Sequence, residues 1–272
     1  MDTLKKIQAC EIDILSKIDA ICKKHNLEYF GIGGTALGAV RHQGFIPWDD
    51  DIDIGMPRAD YQRFLEVAAE ELPEGYHIQN FRTEPKTPFY FTKIRKDGTK
   101  FVEYYLKDHK IHHGIFVDVF PFDNIPDGKW AEKIHFRCTR ILYQLYLSKT
   151  LNTMFSSRLE QIGEGKKSYK YYVRKILHLL LTPVPKKWIY SWLNGCSQLY
   201  NKRETLRMGH VARKRLMVSR QMLYPICELE FEDIHMPVPK DYDGYLKNQF
   251  GDYMVLPPEE KKYGHLPYEV EV

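Results

Sequence analysis

The stretch GFIPWDDDIDIGM, Gly44 to Met56, sets Asp49, Asp50, Asp51 and Asp53 among apolar residues. Like charges packed so closely repel, and taking them out of water is costly. The segment DIDIGM alternates acidic and apolar residues, the period of a half-buried strand. On a strand, residues i and i+2 share a face, so Asp51 and Asp53 project together while Ile52 and Ile54 enter the core. Asp49 reaches the same side if the strand extends back that far. A fold that carries this strand needs something cationic over one face. Mg²⁺ or Mn²⁺ suits it, because these ions take oxygen ligands and leave room for substrate phosphates. Three other readings stay open. One is a solvated turn, which the flanking Trp48, Ile52 and Ile54 disfavour. Another is a calcium loop, but Ile54 stands where such a loop needs glycine, and Pro57 intrudes. The third is the Asp-x-Asp of a sugar-nucleotide glycosyltransferase.

Just upstream, LEYFGIGGTALGAVRH predicts a short strand, a Gly-Gly turn and a short helix. Gly33, Gly34 and Thr35 then sit at a helix N-terminus, where backbone N–H groups and the helix dipole can receive a phosphate. Followed by the acidic strand, this makes a βαβ-like unit with a phosphate cradle beside a metal platform, as in nucleotidyltransferase-type enzymes. Such enzymes usually take a third carboxylate from a neighbouring strand, and Asp118 in GIFVDVFPFD is the candidate. Arg41, Lys93 and Arg95 are candidates for the remaining phosphate charge. Lys261 and His265 in the tail are candidates to close over a donor. His112 and His113 are adjacent and point apart on a strand, so they are expected to be structural.

The rest of the chain is expected to be α+β: a mixed sheet with flanking helices and a helical insertion. Leu4, Ile7, Ile14, Ile18 and Ile21 give an N-terminal helix that stops near Asn26. PRADYQRFLEVAAEEL gives another. HIQNF, YFTKIRK and KFVEYY are short, aromatic and β-branched, and divided by Pro and Gly, so they are strand-like. A helical region is expected from about Trp130 to about Arg215, and the tail returns to short strands and one helix. The expected division is a core over 1–128, a helical insertion over 129–215 and a C-terminal segment over 216–272 that packs back on the core.

In order, GGTALGAVRHQGFIPWDDDIDIGMPRADYQRF, FTKIRKDGT, GIFVDVFPFD and YDGYLKNQFGDYMVLPPEEKKYGH resemble the successive motifs of the LicD family, from Gly33 to His265. Residues 41–53 are the most specific part, and the middle third carries no motif of the family. The resemblance implies a nucleotidyltransferase-like fold. It also implies transfer of a substituted phosphate from a CDP-activated donor to a sugar hydroxyl. Bacterial members move phosphocholine from CDP-choline onto cell-surface glycans, including teichoic acid precursors; animal relatives use CDP-ribitol. By motif, the family's metal ligands fall on Asp51 and Asp53, with Asp49 beside them and Asp118 added. The acceptor implied is a lipid-linked glycan.

With 43% hydrophobic and 28% charged residues the 272-residue chain is an ordinary globular one, and a net charge of +4 is too weak to argue for nucleic acid. The five cysteines are scattered, with no Cys-x-x-Cys pair, which favours a reducing compartment. Residues 165–203 contain no Asp or Glu. They carry basic clusters around ILHLLL and then Trp188, Tyr190 and Trp192. That composition fits helices lying on an anionic membrane surface, broken at Pro183 and Pro185, and equally an insertion packed on the core with a solvated basic rim; a lipid-linked acceptor favours the first. The expected location is therefore cytoplasmic and peripheral, at the inner face of the cell membrane.

Overall fold

The computed structural model describes residues 2–151, 169–210, 216–264 and 267–272, and for Lys170 and Lys261 the backbone alone. Among the described residues there are eight α-helices and eleven strands in a mixed α/β arrangement. Helix α1 (Thr3–His25) stops at Asn26, whose left-handed backbone (φ 53°) closes the last turn. Strand β1 (Phe30–Gly31) leads into α2 (Gly33–His42), then β2 (Ile52–Pro57) and α3 (Arg58–Glu71). Strands β3 (Tyr76–Gln79), β4 (Thr92–Lys96), β5 (Lys100–Glu103) and the long β6 (Phe116–Ile125) follow.

The main sheet runs in the order β1-β2-β6-β4-β3. Strands β2 and β6 are parallel, and the other pairings are antiparallel. The parallel pair is covered on both faces, as such pairs usually are. Ile52, Ile54, Val117 and Val119 pack with α1 and α3 through Ile14, Ile18 and Phe64. Phe120 and Phe122 pack on the other side with α2 residues such as Ala36 and Leu37.

Helix α4 (Lys129–Thr150) opens the helical layer, joined by α5 (Tyr169–Leu180) and α6 (Lys186–Ser197). No described helix is long and apolar enough to cross a membrane. Helical structure was expected to run to about Arg215, but the layer ends at Ser197. Arg207–Gly209 instead forms β7, paired with the far end of β6 and with β8 (Met217–Ser219). The reason is ladder accounting: β6 is ten residues long and outruns β2 and β4, so its last backbone groups need a partner.

After the short α7 (Arg220–Leu223) the chain makes the hairpin of β9 (Cys227–Phe231) and β10 (Ile234–Val238). Phe231, Met236 and Val238 of the hairpin enter the α1 side of the core. Helix α8 (Tyr242–Phe250) packs Tyr245 and Leu246 into the α2 side. Strand β11 (Pro267–Glu271) pairs with β5, so the segment KFVEYY joins a separate two-stranded ribbon and not the main sheet.

Candidate active site

Parallel pairing of β2 with β6 sets Asp53 opposite Asp118, and antiparallel pairing of β4 sets Lys93 opposite Asp118 on the other flank. Three strands therefore bring two carboxylates and one ammonium side by side. Just before β2, Asp49, Asp50 and Asp51 each offer an oxygen within 4.8 Å of the others. The chain turns there because Asp49 N–H donates to the Ile46 carbonyl, while Gln8 of α1 donates to the Asp49 carbonyl at 2.9 Å.

The Gly-Gly turn makes room for these acids. Gly33 has φ +55°, a backbone that favours glycine, and a Cβ on Gly34 would lie 2.7 Å from Asp49 Oδ2. The positive end of α2 thus faces the chain's own Asp49 carboxylate. The Asp49 carboxylate stands beside the expected phosphate cradle of Gly33, Gly34 and Thr35. Thr35 is buried, and its hydroxyl accepts the Asp53 N–H at 2.8 Å, so it fixes the strand. Gly33 N–H donates to the Tyr245 hydroxyl of α8 at 3.3 Å.

Lys93 is buried. Its ammonium donates to Asp118 Oδ1 at 2.8 Å and Oδ2 at 3.1 Å and lies 3.7 Å from Glu103 Oε2. It also sits 3.3 Å from the centre of the Phe116 ring and 4.6 Å from that of Phe89, a cation–π setting that supports a charge away from water. Lys93 is therefore a counterion inside the site, not a free phosphate ligand. Burial, opposed by Lys93 and helped by Glu103 and Asp51, pushes the Asp118 carboxyl up to about 6.

Two expected phosphate ligands stand elsewhere. Arg95 is wholly buried and donates to Gln79 Oε1 at 2.6 Å and to the Gly114 carbonyl at 2.5 Å, in a sheet covered on both faces. Arg41 lies at the far end of α2, roughly 12 Å along the axis from Gly33. Its guanidinium donates to the Tyr253 carbonyl and to His42. In the tail, Lys261 ends a 3-10 turn, Glu259–Lys261, and His265 lies outside the described residues. The tail does reach the acidic loop: a Cβ on Gly264 would lie 2.5 Å from Asp50 Oδ1, and Lys262 sits over the Trp48 ring at 5.3 Å.

Glu11 of α1 is the residue sequence reasoning passed over. It is 0% exposed, and neither carboxylate oxygen has a hydrogen-bond partner. Burial first, then Asp51, Asp50, Asp49 and Asp118, push its carboxyl well above the usual range. The signal was present: Glu11 falls in phase with Ile7, Ile14 and Ile18, so it interrupts the apolar stripe of an otherwise core-facing helix.

The donor set fits a divalent cation. All its groups are oxygens, three lie within the span of one ion, and Glu11 adds a buried carboxylate that no protein group satisfies. The tight group is Asp49, Asp50 and Asp51; the expected set named Asp53 and Asp118 in place of Asp50. Those two stand beside the group in sheet register.

Residues 26–156 match the family model described as LicD/FKTN/FKRP, nucleotidyltransferase domain. Over 269 residues the chain is 28% identical to the lipopolysaccharide cholinephosphotransferase LicD of Haemophilus influenzae, covering 97% of this chain and 96% of that protein. It is also 46% identical over 57 residues to an uncharacterized protein of Rickettsia typhi, a match to 18% of that protein. The match to the LicD family model thus spans residues 26–156 and takes in Asp49, Asp50, Asp51, Asp53 and Asp118.

Proposed function

We propose that this protein is a phosphotransferase that moves phosphocholine from CDP-choline to a hydroxyl of a cell-surface glycan, with release of CMP. The observation that carries the reading is the acidic end of the sheet, where Asp49, Asp50 and Asp51 converge and Glu11 is buried without a partner. The name of the Haemophilus influenzae relative supports the transferred group.

In this reading Asp49, Asp50 and Asp51 hold Mg²⁺ or Mn²⁺, with Asp53 and Asp118 beside them. The ion supplies positive charge for the donor pyrophosphate and for the leaving CMP. The remaining work is positioning, as in phosphoryl transfer generally. The acceptor oxygen forms a bond to the choline-bearing phosphorus, the bond from that phosphorus to the CMP oxygen breaks, and the acceptor proton passes to an Asp118 oxygen. Asp118, pushed up to about 6, is near the range useful for a general base. Lys93, bonded to both Asp118 oxygens, fixes its orientation.

Calorimetric titration of CDP-choline, CDP-ribitol and UDP-glucose, with and without Mg²⁺, tests the reading. Binding of CDP-choline that is selective and metal-dependent supports it. Equal binding of the two CDP compounds keeps a cytidine site and removes the choline assignment. UDP-glucose binding with UDP release would replace the reading with glycosyl transfer.

A further inference from the structure

Helices α4, α5 and α6 form one layer. The His135 ring bonds the Cys196 carbonyl at one end of the α4–α6 seam, while Arg174 and His178 of α5 bond Gln144 and the Ser148 carbonyl of α4. The inner side of the layer is an apolar cluster containing Tyr90, Tyr143, Tyr146, Ile189 and Leu193. The outer side is the anomaly. Helix α5 is turned inside out: its cationic Arg174 is 4% exposed and faces α4, whereas Ile176, Leu179 and Leu180 are 58%, 73% and 65% exposed. Trp130 of α4 and Trp188 and Trp192 of α6 are exposed as well. A soluble helix ordinarily buries such a stripe, so this one is shaped for an apolar medium outside the chain.

Charge identifies the medium. Among the described residues of the three helices the sole acid is Glu132, and it is bonded to Arg207. Exposed cations around the apolar side chains include Lys129, Lys133, Arg137, Arg140, Lys175 and Lys187. A second copy of the chain docking here through a two-fold axis would bring this cationic field against itself. An anionic lipid surface complements it: leucine and isoleucine enter the acyl boundary, tryptophans sit at the headgroups and lysines meet the anionic lipids.

We infer that the outer face of α4, α5 and α6 docks the protein peripherally on an anionic bilayer. This goes beyond the transfer reaction, and vesicle binding reads it separately. The full chain is sedimented with phosphatidylcholine vesicles, with and without phosphatidylglycerol, at low and high salt. The expected result is binding that needs phosphatidylglycerol and falls with salt. Arg140→Gln and Lys187→Gln should each weaken it about fivefold, and Leu179→Glu with Leu180→Glu should abolish it. Three results overturn the inference: wild-type protein left in the supernatant at low salt, equal binding to purely zwitterionic vesicles, or a dimer in light scattering that Leu179→Glu dissolves. The variants' CMP release from CDP-choline with a soluble acceptor reports on the transfer reaction alone. Vesicle binding without that activity would refute the function proposed above and leave this inference standing.

Discussion

Asp118 and Asp123 lie on one strand, on opposite faces of it, and both are buried, yet their surroundings differ in kind. Asp123 accepts Arg58 Nε at 2.7 Å and Nη2 at 2.5 Å, a bidentate pair, and Asn201 Nδ2 at 2.6 Å. Its charge is matched, and it ties the start of α3 to the sheet and to the segment after α6. Asp118 pairs with Lys93, which also lies 3.7 Å from Glu103 Oε2, and Glu103, Asp51 and Glu11 add like charge around it. A buried acid with a full complement of donors is a structural device. A buried acid amid surplus like charge leaves the fold carrying an electrostatic cost, which a cation from outside can relieve.

The largest effect should come from the frustrated side. Asp51→Asn is expected to lower CMP release from CDP-choline about 10³-fold, while the melting temperature stays level or rises. A normal rate in that variant would end the assignment. The matched side should behave inversely. Asp123→Ala strands Arg58 without its counterion and should cost about 3–5 kcal/mol of stability. In thermal unfolding that is a fall of roughly 10 °C, with turnover per folded molecule preserved.

Glu11→Gln sharpens the comparison. Replacing a buried acid that the metal-free fold must hold protonated should raise the melting temperature of the metal-free protein by about 2–4 °C. It should also weaken Mg²⁺ binding about tenfold by calorimetry. A loss of both stability and affinity would mean that Glu11 has a packing role instead.

The smallest effect is a pH slope. The folded-state pKa values of Glu11 and Asp118 are raised, so the native metal-free protein keeps protons there that the unfolded chain has already released. Their contribution is fully present below the unfolded values near pH 4 and is lost as pH rises through about 6 and beyond. Melting temperature in chelator should therefore decline from pH 5 to pH 8. The decline should flatten in Glu11→Gln and on adding Mg²⁺.

Much of this was legible in the sequence. Alternation placed Ile52 and Ile54 inward and left Asp53 on the other face, and the same rule put Asp118 on a strand fit to lie beside it. Residue type alone could not separate Lys93 from Arg95. Both sit on one face of β4, and the layout of the neighbouring strands decides that Lys93 meets Asp118 while Arg95 meets Phe116, Gln79 and Gly114. Strand β7 is three residues with no periodicity to read, and the need it meets arises on β6, far away in the chain. Glu11 was readable in its helix phase, but its meaning depends on carboxylates brought to it by the fold.

The hydrogen bonds from Gly33 to Tyr245 and from Arg41 to Tyr253 each span 212 positions. They limit what can be cut out of this protein. A fragment of residues 26–156 would contain Asp49, Asp50, Asp51, Asp53 and Asp118. It would lack α1, which seals one face of the sheet, and α8, which braces the turn beneath Asp49. In protein engineering terms the family domain is a unit of ancestry and not a portable module: grafted alone onto another scaffold, it would carry the acids without the walls that hold them together.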